Sequence, residues 1–447
     1  MALTGLQIQK LLPKTNCKEC GCSTCLAFAM KLAAKKAELK ECPYVSEEAK
    51  AVLGAAAEPP IRTVTVGRGE GALRSGGETV MYRHEKTFVN RTGLGVLLPD
   101  TLDPARLEEE VRRIREYHVD RVGETLRVDA VGIEFRSGSL DGFAAALTRT
   151  AALWDRAIVA RSDDPRALRA AAERLRGRRP LLASATPGTA VELGEVAAAS
   201  DAALAVAAED IDGLIDGVRA LEERKFRDIF LELRAATLAE RLQAGTVLRR
   251  AAIKASVKPA GYPFVKFIDA EDPVDAAVEA GLEVVKYGGL AMLPSFDPAA
   301  FLPLLVLRQN IFTDPQKPIQ VKPGVYAIGE ASEKSPVLVT TNFSLTYYNV
   351  AGDVEASRVP SWIVVVDTEG TSVLTAFASD KLNADKVTAM LKDGAGIGSK
   401  VTHHKVVIPG LVAAMSAKLK DASGWEVLVG PRESSGIPKF LKSISVS

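Results

Sequence analysis

The sequence predicts a multidomain α/β protein: a small cysteine-bearing module, a central (β/α)8, TIM-like barrel and a C-terminal α/β domain. Three observations predict it. All five cysteines fall between Cys17 and Cys42. Between residues 93 and 315, eight short apolar segments alternate with amphipathic ones, as strands do when each is followed by a crossover helix. Beyond Asp314-Pro315 the spacing changes to a shorter set of strand-like runs. A chain of 447 residues accommodates two or three domains with separate cores. The divisions are placed at 1–57, 58–92 (a linker), 93–315 and 316–447.

In the first part, Leu3–Leu12 reads as a short helix and the cysteine loop follows. Cys25–Leu39 carries apolar residues at helical spacing without a breaker, Cys42-Pro43 stops the pattern, and Ser46 is placed to cap a helix over Glu47–Leu53. The linker opens on Pro59-Pro60. Val64–Val66 reads as a strand, and Gly67, Gly69, Gly71, Gly76 and Gly77 then predict a loose, turn-rich stretch lying over the next domain, with 67–77 as a hinge.

The barrel strands are expected at Leu94–Leu98, Ala130–Phe135, Arg156–Ala160, Leu181–Ser184, Ala203–Ala207, Asp228–Leu233, Phe264–Ile268 and Leu290–Leu293. Helices between them include Pro104–Glu116, Pro165–Arg176, Asp210–Glu223 and Pro273–Val285. A doubly wound open sheet is the competing arrangement. In the last part, Val337–Thr340, Trp362–Val366, Val406–Ile408 and Glu426–Val429 read as strands of a small open sheet, with helices at Asn383–Lys392 and Val412–Lys420.

Composition narrows function by exclusion. Lys and Arg total 57 against 56 Asp and Glu, so no net field draws the chain to nucleic acid or to an anionic membrane. No apolar run approaches the ~18 residues of a membrane span, and Met1–Lys10 lacks the apolar stretch of an export signal. A cytoplasmic location without membrane or nucleic-acid partners is expected.

The cysteines carry the sharpest chemistry. They read Cys17-x2-Cys20-x4-Cys25-x16-Cys42, with Cys22 inside the loop. Four thiolates are the usual ligand set of a 4Fe-4S cluster; three in one loop hold three irons and a remote fourth closes the site. Gly21 lets the backbone turn close to the sulfides. A structural zinc site or inert thiols are the alternatives. Zinc modules usually pair two C-x2-C knuckles or add histidines, and here the first histidine is His84. Cys22 is read as a bystander, its substitution for one of the four being the variant reading.

Elsewhere the residues say less. Gly370-Thr371-Ser372 follows a strand, where open α/β sheets bind ligands, but alone it reads as a turn. Thr340 and Thr341 alone are β-formers, and Gly430-Pro431 alone is a loop. His403 and His404, adjacent in a strand, point to opposite faces and do not suggest one shared metal. Arg136, Arg161, Thr186, Glu209 and Asp269 follow barrel strands without forming a recognisable acid/base or metal set, so the barrel is expected to shield and dock rather than catalyse.

The segments Lys14–Gly21 and Cys25–Ala29 resemble the cluster module of the corrinoid iron–sulfur protein large (gamma) subunit family of the carbon monoxide dehydrogenase/acetyl-CoA synthase system. Val339–Tyr348, Asp367–Ala376 and Gly430–Ile437 are similar to the same family, in the same domain order across nearly the whole chain. The resemblance implies a cluster module, a (β/α)8 barrel and a Rossmann-like corrinoid-binding domain. It implies a methyl carrier rather than a free-standing catalyst: cobalt as Co(I) takes a methyl group from methyl-tetrahydrofolate or a related methyl-pterin through a methyltransferase and passes it to acetyl-CoA synthase, while the 4Fe-4S cluster returns Co(II) to Co(I). It implies Cys17, Cys20, Cys25 and Cys42 as cluster ligands, and Thr340, Thr346, Gly370, Thr371, Ser372, Val373, Arg432 and Glu433 as corrinoid contacts. The implied partners are a small subunit in a heterodimer, the methyltransferase and acetyl-CoA synthase/carbon monoxide dehydrogenase. None of His84, His118, His403 and His404 sits in the D-x-H-x-x-G motif that ligates cobalt elsewhere, so a base-off corrinoid without a protein histidine is expected. An iron–sulfur electron-transfer subunit without corrinoid is the alternative, and a self-contained barrel enzyme is a third.

Overall fold

The structure, a computed structural model, describes residues 4–444 apart from 34–36, 38, 47–48, 51–52, 54–58, 83–84, 86–88, 122, 236, 313–317 and 395–396. His84, most of the helix expected at Glu47–Leu53 and the breakpoint Asp314-Pro315 lie outside the described residues. Two compact units are present, one of residues 1–117 and 127–312 and one of 118–126 and 313–447.

The strands, in chain order, are β1 (Val64–Val66), β2 (Leu73–Ser75), β3 (Gly93–Pro99), β4 (His118–Arg121), β5 (Glu124–Arg127), β6 (Ala130–Glu134), β7 (Ala157–Arg161), β8 (Leu181–Ala185), β9 (Ala203–Ala208), β10 (Ile229–Leu233), β11 (Phe264–Phe267) and β12 (Gly288–Leu293) in the first half of the chain and its barrel. Then follow β13 (Gly324–Ile328), β14 (Val337–Thr341), β15 (Ser361–Val366), β16 (Lys405–Ile408) and β17 (Glu426–Val429).

Strands β3 and β6 to β12 close into an eight-stranded, all-parallel barrel in chain order, which settles the central part against an open doubly wound sheet. A repeated sequence device starts the helices around it. Asp103, Asp164, Asp272 and Asp297 each accept backbone N–H bonds at a helix N-terminus, and each is followed by a proline whose missing N–H costs nothing there. The barrel interior is filled by Leu97, Ala130, Val159, Ala205, Phe230, Val265, Phe267 and Met292, all under 10% exposed.

The expected linker is part of that core. β1 and β2 pair as an antiparallel hairpin, and Val64, Val66 and Leu73 are buried with the barrel-interior side chains. Backbone and side-chain bonds fix the hairpin to the N-terminal ends of the barrel strands: Gly67 N–H to Arg179 O at 2.7 Å, Arg179 Nε to Thr65 O at 3.0 Å, and Ser75 Oγ to Gly289 O at 3.0 Å. Glu78, beyond the hairpin, pairs with Arg249 of the helix Leu238–Lys254, their side chains 9% and 3% exposed. The hinge expected over 67–77 is therefore corrected: these glycines let a plug fold tightly against the barrel floor.

The second unit is a five-stranded sheet of order β13-β15-β14-β16-β17, with β13 antiparallel at one edge and the other four parallel. β13 and the β4–β5 pair carry no expectation from the sequence. The helix expected at Asn383–Lys392 runs over Ala384–Ala389 and passes into a wider turn at Met390–Gly394, and that at Val412–Lys420 is a 3-10 turn, Gly410–Met415, leading into Ser416–Ser423. Val337, Val339, Val364 and Val366 face one layer of helices, and Leu338, Ile363 and Val365 face another. No helix among the described residues is long and apolar enough to cross a membrane.

Removing Glu78 would leave the Arg249 charge buried without its partner. Glu78→Ala is expected to destabilise the chain by about 3–5 kcal/mol in chemical denaturation; a loss below about 0.5 kcal/mol, the usual effect at a solvated linker position, would contradict the plug.

Candidate functional site

The sheet of the second unit creates a crevice by its connections. From β14 the chain crosses to β15 through the helix Ser344–Ser357, which packs on the Leu338/Val365 face. From β15 it returns to β16 through Val373–Ala378 and Ala384–Ala389, on the Val337/Val364 face. β16 lies on the other side of β14 from β15. The connection out of β14 and the connection into β16 thus lie on opposite faces of the sheet, and the carboxyl ends of β14 and β16 have no helix bridging them. An open cavity of about 250 Å³ sits there, lined by Leu338, Thr340, Thr346, Ser372, Val373, Ile408 and Arg432 among others.

Its walls are mostly apolar, with a few polar groups placed among them. Thr340 is fully buried, and its Oγ1 has no hydrogen-bond partner among the described residues; the hydroxyls of Thr341 and Ser344 nearby in sequence are in the same state. A buried hydroxyl left unpaired is costly, and at a cavity wall a ligand acceptor or donor relieves it. One side of the mouth is set by close backbone approach: Gly410 N–H donates to Pro431 O at 3.0 Å, and a Cβ on Gly410 would lie 2.5 Å from Gly430 O.

The loop after β15 is held by one side chain. Asn342, 1% exposed, accepts three bonds at Oδ1, from Thr368 N, Thr368 Oγ1 and Gly370 N, at 3.0, 2.9 and 3.0 Å. Its Nδ2 donates to Gln320 Oε1 and Asp367 Oδ1 at 3.2 and 3.1 Å. Gly370 has a left-handed φ of 73°, and a Cβ there would lie 2.7 Å from Gln320 Cγ. Thr371 spends its hydroxyl on Thr368 O, 2.7 Å away. Gly370 and Thr371 therefore shape the loop from behind, while Ser372 and Val373 reach the cavity. Glu433 is exposed and outside the lining.

In the N-terminal module, the helix Gly5–Leu11 begins with a Thr4/Gln7 capping box, and Cys25–Ala33 forms the second helix. Asn16 Oδ1 accepts the Cys25 N–H at 2.8 Å, so the cysteine loop caps the helix it leads into. Lys14, Asn16 and Lys18 have left-handed φ, a concentration of strained backbone typical of functional loops, and Gly21 adopts it without strain. Cys22, Cys25 and Cys42 are buried in one cluster with Ile8, Leu12 and Phe28, Cys20 packs against it, and Cys17 is exposed. Tyr44 Oη donates to Glu19 at 2.7 Å, tying the Cys42 segment to the Cys17–Cys20 loop. Burial pushes the Cys20 thiol above its ordinary value, the Cys22 backbone N–H opposing and the Cys22 and Cys42 thiols adding. Among the described residues no three His, Cys, Asp or Glu side chains are gathered at single-ion distance. Burial groups Cys22 with the inner thiols, whereas spacing favours Cys17.

At the carboxyl ends of the barrel strands, several charged groups are paired with one another. Arg161 bonds Glu134 at 3.0 Å and lies over the Phe267 ring, and Arg234 bridges Glu232 and Asp163. These are interlocked ion pairs.

The comparisons with known proteins fall on this geometry. The family described as CO dehydrogenase/acetyl-CoA synthase delta subunit matches residues 63–441, and an Fe-S cluster family matches residues 12–44. The chain is 41% identical to the corrinoid/iron-sulfur protein large subunit of Moorella thermoacetica over 99% of both chains. The chain belongs to the CO dehydrogenase/acetyl-CoA synthase delta subunit family. Among full-length relatives of this family, the acetyl-CoA decarbonylase/synthase complex subunit gamma of Methanopyrus kandleri is 34% identical over 98% of this chain and 97% of its own. Among solved structures, dihydropteroate synthase from Thermus thermophilus is similar over 56% of this chain and 99% of its own, at 16% identity and a TM-score of 0.40.

For this member of the delta subunit family, the structure brings Thr340, Thr346, Ser372, Val373 and Arg432 to one cavity. Asn342, Asn349 and Gly410 were not singled out from the sequence. Asn342 lies within Val339–Tyr348, but only its buried bonds reveal its role; Pro409-Gly410 is a turn signal directly after a strand. Asn342→Ala is expected to cost about 2–4 kcal/mol, from two or more buried N–H groups left unpaired, with faster amide exchange at Thr368 and Gly370. Unchanged exchange there would show that the loop is held by other contacts.

Proposed function

We propose that this chain is the large subunit of a corrinoid iron–sulfur methyl carrier. The observation that carries the reading is the cavity at the β14/β16 crevice, lined by five of the residues that family resemblance picks out, among them Thr340, whose buried hydroxyl has no partner among the described residues. A bound corrinoid would supply the cobalt that takes up a methyl group and hands it on, and a 4Fe-4S cluster the electron that returns Co(II) to Co(I).

The residues present suit both groups. A Rossmann-like reading of the second unit puts the corrinoid over the carboxyl ends of β14 and β16. Thr340, Thr346 and Ser372 offer hydroxyls to its polar periphery, Val373 and Leu338 give apolar contact, and Arg432 is placed for an anionic group. Gly370, Thr371 and Glu433 act by shaping the loops around it. The axial face would receive no histidine from the described cavity residues. His403 and His404 precede β16 and so lie at the opposite end of that strand from Ile408; His403 Nε2 contacts Ser335 O at 3.0 Å, and His404 packs edge-on against Trp425. Weak axial donation favours reduced cobalt. Cys17, Cys20, Cys25 and Cys42 would hold the cluster, the exposed Cys17 thiol completing a set whose other members belong to or border one apolar cluster.

The donor of the methyl group would be methyl-tetrahydrofolate or a related methyl-pterin, acting through a methyltransferase, and the acceptor acetyl-CoA synthase. A small subunit would complete a heterodimer around the corrinoid. The paired charges at the barrel mouth support a shielding and docking role for the barrel in that assembly.

Anaerobic metal analysis of the purified chain with its co-purifying partner is expected to give about four irons and about one cobalt, with corrin absorption that shifts on reduction. Iron without cobalt would move the chain to the electron-transfer reading. Serine at Cys17, Cys20, Cys25 or Cys42 is expected to lower iron content and cluster absorption, whereas Cys22→Ser retains both; the reverse result for Cys17 and Cys22 would exchange their roles. Thr340→Val is expected to weaken corrinoid retention about tenfold, and unchanged retention would remove Thr340 from the site.

A further inference from the structure

A second cavity, of about 560 Å³, opens at the N-terminal end of the barrel, in the first unit. The plug loop Glu70–Arg74 forms one wall, and the segments leading into β3, β6 and β7 form the others. Five arginines line it, Arg74, Arg91, Arg127, Arg156 and Arg308, against three carboxylates, Glu70, Asp129 and Asp155.

The floor is rigid and basic. Arg308, 4% exposed, donates to Thr92 O and Arg127 O at 3.0 and 3.1 Å and pairs with Asp129, so that carboxylate is already neutralised. Its Nε–H is buried without a partner among the described residues. Arg156 donates to Val128 O and Arg115 O, and its guanidinium stacks on Trp154. Burial above all, with the positive charges of Arg127 and Arg115 adding and Asp155 opposing, pulls Arg156 below its ordinary value. At the rim, Arg74 and Arg127 are exposed, with no side-chain partner among the described residues. Glu70 and Asp155 are the opposing rim charges, and Asp155 comes no closer than 3.9 Å to Arg115 and Arg156. A rim of uncommitted guanidinium forks over a buried basic floor suits flat, bidentate anions.

We propose that this cleft binds a small polyanion carrying two or more phosphate or carboxylate groups. The volume lies in the range of small-molecule pockets and exceeds what one such group fills. Arg74 and Arg127 would engage the outer groups, with the buried basic floor favouring the inner one. The site lies wholly within the first unit and does not rest on the methyl-carrier reading.

The test is calorimetric titration of the purified full chain with inorganic pyrophosphate and, separately, with citrate. Saturable binding of one or both is expected, and which of them binds decides between phosphate and carboxylate recognition. The double variant Arg74→Gln/Arg127→Gln should weaken binding at least tenfold, and Glu70→Gln, which removes a repelling charge, should tighten it severalfold. No saturable binding of either anion, wild-type affinity in the double variant, or unchanged affinity in Glu70→Gln would each overturn the site.

Discussion

The direction in which the chain leaves β14 is the constraint on which the candidate site depends. Crossovers between parallel strands are right-handed, so a sheet that grows first to one side of β14 and then to the other must place successive helices on opposite faces. The carboxyl ends of β14 and β16 are then left uncovered. Everything at the crevice follows: the apolar strand ends, the unpaired Thr340 hydroxyl, and the two loops that form its mouth. Apolar side chains close the layers on both faces of the sheet but cannot close this point, because no connection passes over it.

Loops at such a point gain precision from buried polar contacts. Asn342 does this for the 367–372 loop by replacing backbone partners that a loop lacks, with one amide serving both as acceptor and as donor. Gly410 does it through the absence of a side chain, which brings two loops into direct backbone contact. Both positions lie outside direct contact chemistry, yet they set where Ser372 and Arg432 stand.

The barrel and the N-terminal module use different means of closure. The barrel floor is sealed by the β1–β2 hairpin and by buried ion pairs, such as Arg249 with Glu78 and Arg241 with Glu283, whose value lies in fixing position rather than in net stability. The module has only a small apolar cluster, to which three cysteines belong. So small a core is marginal alone, and thiolate–metal bonds would add what the apolar contacts lack.

The sequence by itself determined the barrel. Its eight strands fall within a residue or two of their expected places, because strands buried on both faces are short continuous apolar runs and Asp-Pro pairs mark the helices between them. It also carries the cysteine spacing and, through family resemblance, pointed to five of the residues that line the cavity. Tertiary structure alone decided the rest. The glycine-rich segment 67–77 looks the same as a linker or as a plug, since its few buried side chains, Leu73 and Ser75, gain their place only once the barrel floor exists. β13 is an edge strand whose residues stay half exposed, so it lacks the apolar run of its neighbours. The role of Asn342 and the gathering of arginines from five separate segments at the barrel floor are long-range encounters, and local periodicity carries no record of which distant residues will meet.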